Sequence, residues 1–211
     1  VVPLGRQHIF HIMRASRAET NLPGGLKVIG SSAMAELEWW FEMLGRESTR
    51  RGVPLAFRTA FSDATADGVM APYSDASREK PDVVVYSGYG GWVVLVGILF
   101  YVQGRWTEEE VRLLDINTLE LAAMNICTFT FLAEAARRGV ELTHVVEFTD
   151  NSAAEASAER GKPHSPKLEA LIRSRYEEFT RLGIYASAER VASVDNDLAD
   201  GLSRGGEKLA D

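Results

Sequence analysis

A helix that is apolar nearly all the way round cannot lie on a surface; it needs neighbours on every side. Residues 117–139 read NTLELAAMNICTFTFLAEAARRG, which predicts such a helix from about Thr118 to Arg138, closed by Gly139. It should be central and buried, so the other elements have to be laid around it. Short β-rich runs precede it: PLAFRTAFS, VMAPYS and VVVYSGYGGWVVLVGILFYVQGRW, the last expected to break into hairpins at Gly90-Gly91 and Gly97. After it come a strand, THVVEFTD (143–150), and a helix, NSAAEASAER. A second helix follows, SPKLEALIRSRYEEFTRLG, with Leu168, Leu171, Ile172, Phe179 and Leu182 at helical spacing. IYASAERVASV reads as extended and NDLADGLSR as a short closing helix. This order predicts an α/β layered domain whose mixed five-stranded sheet is flanked by helices.

The first fifty or so residues look separate. Residues 1–52 are expected to form a helical accessory segment and 53–211 the α/β domain, with the polar stretch from Gly45 to Val53 as the linker. In the accessory segment Ser32 could cap a helix with Leu37, Trp40, Phe41 and Leu44 on one apolar face and Glu36, Glu38 and Glu42 on a solvated side. The chain opens VVPLGRQHIF, without an initiator Met or signal peptide, so a segment of a longer polypeptide is expected.

Composition narrows the classes. The chain has 211 residues, 45% hydrophobic and 25% charged, the balance of a globular protein with a real core. Its most apolar stretch, GWVVLVGILFYV, is too short for a bilayer helix and rich in strand formers, so no membrane partner is expected. The single cysteine, Cys127, excludes an intramolecular disulfide and suggests a reducing intracellular compartment, cytoplasm or nucleus. A net charge of -7 counts against a sequence-independent grip on nucleic acid, which rests on basic stripes. Phosphate contacts would have to be local, from Arg50, Arg51 and Arg58 or from Lys162 and Lys167.

The same acidity suits carboxylates converging on cations. Asp75 closes one extended run and Asp150 another, and parallel neighbouring strands would bring those ends together, where open sheets build their sites. Glu120 is expected in the first turn of the central helix and Asp200 in the last helix, free to close the cluster. Four carboxylates in one place cannot all remain ionised without compensating charge. Oxygen-only ligands point to Mg²⁺ or Mn²⁺.

The motifs YSDAS, SGYGGW, INTLELAA, FTDNSAA and NDLADGLSR, in this order, resemble the Asp-Glu-Asp-Asp series of ribonuclease H over about Val69 to Arg204. The resemblance is nearest to the ribonuclease H domain of retroelement reverse transcriptases, particularly the tyrosine-recombinase-bearing group and its LTR-type relatives. These close on a similar ADGLSR and carry an upstream connection segment like GRQHIFHIM and AELEWW. It implies a ribonuclease H-like fold and hydrolysis of the RNA strand of an RNA/DNA hybrid by two divalent ions about 4 Å apart. Asp75, Glu120, Asp150 and Asp200 would be catalytic metal ligands, and a polymerase domain in the same polypeptide would be a partner.

The family's spacing also bears on a sequence echo, since FSDAT around Asp63 repeats YSDAS around Asp75. Only a short turn separates the first Asp from the glycine-rich strand in the family, and Asp75 lies thirteen residues before Gly88 whereas Asp63 lies twenty-five before it. Asp75 is therefore the expected ligand and Asp63 a turn residue. Asn117, Asn151 and Ser152 are candidates for reading the RNA 2′-hydroxyl, each with a cap or turn role as the alternative. Many relatives carry a histidine about ten residues before the last Asp; here Arg190 stands there, able to touch a phosphate but not to shuttle protons. Slower turnover or a simpler pH profile would follow. The competing readings are a non-catalytic ribonuclease H-like connection domain and a related carboxylate nuclease acting on DNA.

Overall fold

A computed structural model describes residue 12 and residues 29–45, 67–78, 86–161 and 165–205. Arg50, Arg51, Arg58, Asp63, Lys162 and His164 lie outside the described residues. The chain divides into two compact units, Val1–Thr59 and Ala60–Asp211.

In the first unit, helix α1 spans Ser31–Gly45. Its packing differs from the expected face. Ala33 and Glu36 are buried, while Leu37 and Phe41 are 38% and 85% exposed. Glu36 turns inward, where its Oε2 accepts the backbone N–H of Ile12 at 2.9 Å. The indoles of Trp39 and Trp40 meet edge to face at 5.5 Å.

The second unit is a mixed sheet flanked by helices. Its strands are β1 (Val69–Met70), β2 (Tyr73–Ala76), β3 (Gly88–Leu95), β4 (Ile98–Arg105), β5 (His144–Thr149) and β6 (Tyr185–Arg190). Its helices are α2 (Glu108–Leu113), α3 (Ile116–Arg137), α4 (Ser152–Arg160), α5 (Pro166–Leu182) and α6 (Asp197–Ser203). β2, β3 and β4 pair antiparallel, and β5 pairs parallel with β2 and with β6. Among the described residues the count is six strands where the sequence suggested five, because Ala71-Pro72 interrupts one of them. Val69, Met70 and Tyr73 pair with His144, Val145 and Phe148 at one constant offset, and β6 fills the other edge of β5, so β1 and β2 are collinear halves of one strand. Proline has no N–H for the ladder, yet Pro72 O still accepts the Phe148 N–H at 2.8 Å.

Helix α3 is central as its composition requires. Leu119, Leu121, Ala123, Met124 and Cys127 are fully buried, and Phe131, Leu132 and Ala135 join Val93, Leu95, Val145 and Phe179 in the core against the sheet. Leu121 and Met124 meet Ala154, Ala158, Leu168 and Ile172 of α4 and α5. By length and composition α3 could cross a membrane, but 67% of its most apolar window is buried within the protein. The helix starts two residues before the expected position, at an N-cap formed by Asp115, whose Oδ1 accepts the Thr118 N–H at 3.0 Å. Glu120 consequently sits in the second turn rather than the first. Gly90-Gly91 does not break a strand either: both residues lie inside β3, and only Val96-Gly97 makes a turn.

One buried ionic network ties three elements together. Arg175 of α5 forms a two-pronged ion pair with Glu147 of β5, both 1% exposed. Thr128 and Asn125 of α3 complete it, through Thr128 Oγ1 donating to Glu147 Oε1 at 2.6 Å and Arg175 Nη1 donating to Asn125 Oδ1 at 3.1 Å. Buried charges persist only when paired and hydrogen-bonded in this way.

Candidate metal centre

Three acids from three elements meet at the end of the parallel β2–β5 pair. Asp75 belongs to β2, Asp150 directly follows β5, and Glu120 reaches in from α3; one carboxylate oxygen of each lies within 4.8 Å of the others. Asp75 and Glu120 are buried, and Asp150 is half-buried. The strand ends put two carboxylates side by side because β2 and β5 run parallel in register. The third arrives because α3 packs across the sheet so that Glu120 Oε2 accepts the Ala76 N–H at 3.2 Å, one residue beyond Asp75.

The electrostatics are those of acids lacking a counter-charge. Burial, followed by the charges of Asp75 and Asp150, pushes Glu120 up to about 9, against the Ala76 N–H and the Asn151 side chain. Asp75 is pushed up to about 6, chiefly by burial, with Asp150 and Asp200 adding to the rise; the Ser203 hydroxyl and Arg204 oppose it. Oxygen-only donors, close together and short of positive charge, fit a hard divalent cation.

Asp200 stands apart from this trio. It lies on α6, near enough for its charge to be felt at Asp75, but its Oδ1 accepts from Arg204 Nε at 2.6 Å and it is not among the three converging oxygens. The expected substrate-reading residues are at the rim. Asn151 caps α4, its Oδ1 accepting from the Ala153 and Ala154 N–H groups at 2.9 Å each, and its Nδ2 donates to Asn117 Oδ1 at 3.3 Å. Ser152 is the exposed first residue of α4. Arg190 ends β6 opposite Thr149, exposed, with Nε donating to Asp150 O at 3.4 Å.

Sequence reasoning missed the groups that hold the acids in place. Ser203 Oγ donates to Asp75 Oδ2 at 2.6 Å. Ser77 Oγ, just past β2, donates to Ser203 O at 2.6 Å, and Asn196 Nδ2, at the N-cap of α6, donates to Ser74 O at 3.1 Å, so α6 and its cap are tied to the chain on both sides of Asp75. Glycine makes room for this contact: a Cβ on Gly90 would meet Leu202 Cβ at 2.4 Å and Ser203 N at 2.5 Å. Helix α2 was missed too, although Thr107 and Glu110 form a capping box that signals it.

No family model matches the chain. No curated protein matches it either. Among solved structures it is similar to the RNase H1 of the halophilic archaeon Halobacterium salinarum, at 20% identity over 64% of this chain and 94% of that one, with a TM-score of 0.44. It is also similar to LC11-RNase H1 crystallised with an RNA/DNA hybrid, at 14% identity over 63% of this chain and 92% of that one, TM-score 0.44. A foamy viral protease-reverse transcriptase is similar over 90% of this chain and 31% of that one, at 9% identity and a TM-score of 0.35. The architecture of the second unit stands on its own strand order and register: a mixed sheet, flanked by helices, with three acids gathered at one end.

Proposed function

We propose that this chain is a metal-dependent endoribonuclease of the ribonuclease H type, which cuts the RNA strand of an RNA/DNA hybrid. We further propose that it works beside the polymerase domain of a retroelement reverse transcriptase in the same polypeptide, a reading that rests on the motif order and the closing ADGLSR. The observation that carries the nuclease reading is the convergence of Asp75, Glu120 and Asp150 within 4.8 Å, two of them buried.

Those three residues would hold Mg²⁺ or Mn²⁺, with Asp200 as a fourth ligand and two ions as the full complement. Bound there, the cations supply the charge that offsets an attacking hydroxide and a leaving 3′ oxygen in an in-line displacement. The protein's own groups do the positioning. The Ala76 N–H orients the Glu120 carboxylate, the Ser203 hydroxyl orients that of Asp75, and Arg190, always charged, meets a phosphate at the rim. Asn117, Asn151 and Ser152 edge the side where a 2′-hydroxyl would be read. The test is a Mg²⁺-dependent assay on labelled RNA/DNA hybrid, duplex RNA and duplex DNA. Cleavage confined to the RNA of the hybrid and lost in EDTA is expected. Equal cutting of duplex DNA would overturn the substrate assignment, and no cutting of any duplex would favour a connection domain without catalysis.

A further inference from the structure

We infer that Ser203 is a positioning residue, whose hydroxyl fixes the Asp75 carboxylate in its ligating orientation before a cation arrives. The inference rests on the reading of Asp75 as a cation ligand proposed above. Ser203 is the last residue of α6, fully buried, and its single hydroxyl proton has two acceptors in reach: Asp75 Oδ2 at 2.6 Å and Asp200 O at 2.9 Å. The carboxylate is nearer, and an ionised acceptor makes the stronger bond, so the proton is given to Asp75.

The position of that hydroxyl is itself determined from three directions. Its own carbonyl accepts from Ser77 Oγ at 2.6 Å, and Ser77 Oγ in turn accepts the Gly88 N–H at 3.0 Å. Asn196, at the other end of α6, donates to Ser74 O from a site with no exposed surface. The absence of a side chain at Gly90 allows the helix end to press onto β3. A serine hydroxyl can turn about one bond; here the carbonyl of the same residue accepts from Ser77, two residues after Asp75, and Asn196 at the N-cap of the helix holds Ser74, the residue before Asp75. That arrangement holds one oxygen of a buried acid in a fixed direction, which is what a rigid ligand requires and a freely rotating Asp lacks.

A residue that only glued α6 to the sheet would affect stability; a positioning residue affects how tightly the cation binds. The experiment is calorimetric titration of Mn²⁺ into the full chain, wild type against Ser203→Ala, Ser203→Cys and Ser203→Thr, with chemical denaturation in EDTA alongside. Alanine removes the donor. Cysteine keeps a side chain of similar size with a weak donor, which guards against a packing defect, and threonine keeps the hydroxyl. Alanine and cysteine are expected to weaken Mn²⁺ binding about tenfold or more, with threonine close to wild type. In hybrid cleavage kcat should fall with KM for the hybrid unchanged. Unaltered Mn²⁺ affinity in both alanine and cysteine variants would overturn the inference, as would weakening that tracks lost stability across all three substitutions. If the wild type binds Mn²⁺ and serine replacement weakens it but no hybrid is cut, the positioning role stands and the ribonuclease reading falls. If hybrid is cut and Mn²⁺ affinity ignores Ser203, the reverse holds.

Discussion

Glu120→Gln is expected to make the metal-free protein more stable at alkaline pH while removing a cation ligand. Burial and two neighbouring acids raise the carboxyl from its ordinary 4.5 to about 9. Between those values the folded state retains a proton that the unfolded state has released, so protonation linkage makes stability fall as pH rises through that window. At roughly 1.4 kcal/mol per pH unit, the cost of this one group reaches a ceiling of about 5 kcal/mol at pH 8. Glu120 titrates together with Asp75, so the ceiling is not reached and a gain of about 2 kcal/mol is the working expectation, or about 4–8 °C in Tm for a protein of this size. Glutamine keeps a carbonyl oxygen for the Ala76 N–H, so the known hydrogen bond survives. The assay is thermal and urea unfolding in EDTA from pH 4.5 to 8.5, repeated with excess Mn²⁺. The variant's advantage should grow with pH, be absent near pH 4.5, and reverse in Mn²⁺. A variant no more stable than wild type at pH 8 without metal would refute the reasoning that the site is built of acids in want of a cation.

Asp150→Asn and Asp75→Asn should each abolish hybrid cleavage with circular dichroism unchanged, and Asp63→Asn should cleave normally; activity in the first two would remove the site assignment. Arg175→Met leaves Glu147 buried without its cation and should cost about 3–5 kcal/mol in urea denaturation, far more than a surface ion pair such as Arg181–Glu178. Val96, 70% exposed, holds a φ of 47° in the two-residue turn between β3 and β4, a conformation that a β-branched residue resists. Val96→Asn is therefore expected to stabilise by about 1 kcal/mol, read as a higher Tm.

The sequence displayed the layers and the acids because both depend on local patterns. An all-round apolar helix announces its own burial, and strands ending in Asp show where carboxylates can gather. What stayed hidden depends on pairs far apart in the chain. Nothing local says that Glu36 turns toward Ile12, that Ser203 reaches Asp75, or that Arg175 finds Glu147. The glycines show the limit most clearly. Gly90-Gly91 reads as punctuation when only backbone freedom is considered, but both lie in a continuous strand, where they are small because helices press on them. Asp200 is an intermediate case: its place on the closing helix was legible, and its ion pair with the adjacent-turn Arg204 was not.

Gly90 and Gly91 are adjacent in β3 and face opposite ways. A Cβ on the first would strike Leu202, and one on the second would strike the Cys127 sulfur at 2.6 Å. At this point Leu202 of α6 and Cys127 of α3 each lie against the bare backbone of β3 from opposite faces. β3 has no room here for side chains of its own, so enlarging Cys127 on one face would push the strand toward Leu202 on the other. Residues 90, 91, 127 and 202 should therefore behave as a single steric unit in evolution and in the laboratory: substitutions that fail singly become tolerable only when a gain in volume on one face is matched by a loss opposite it.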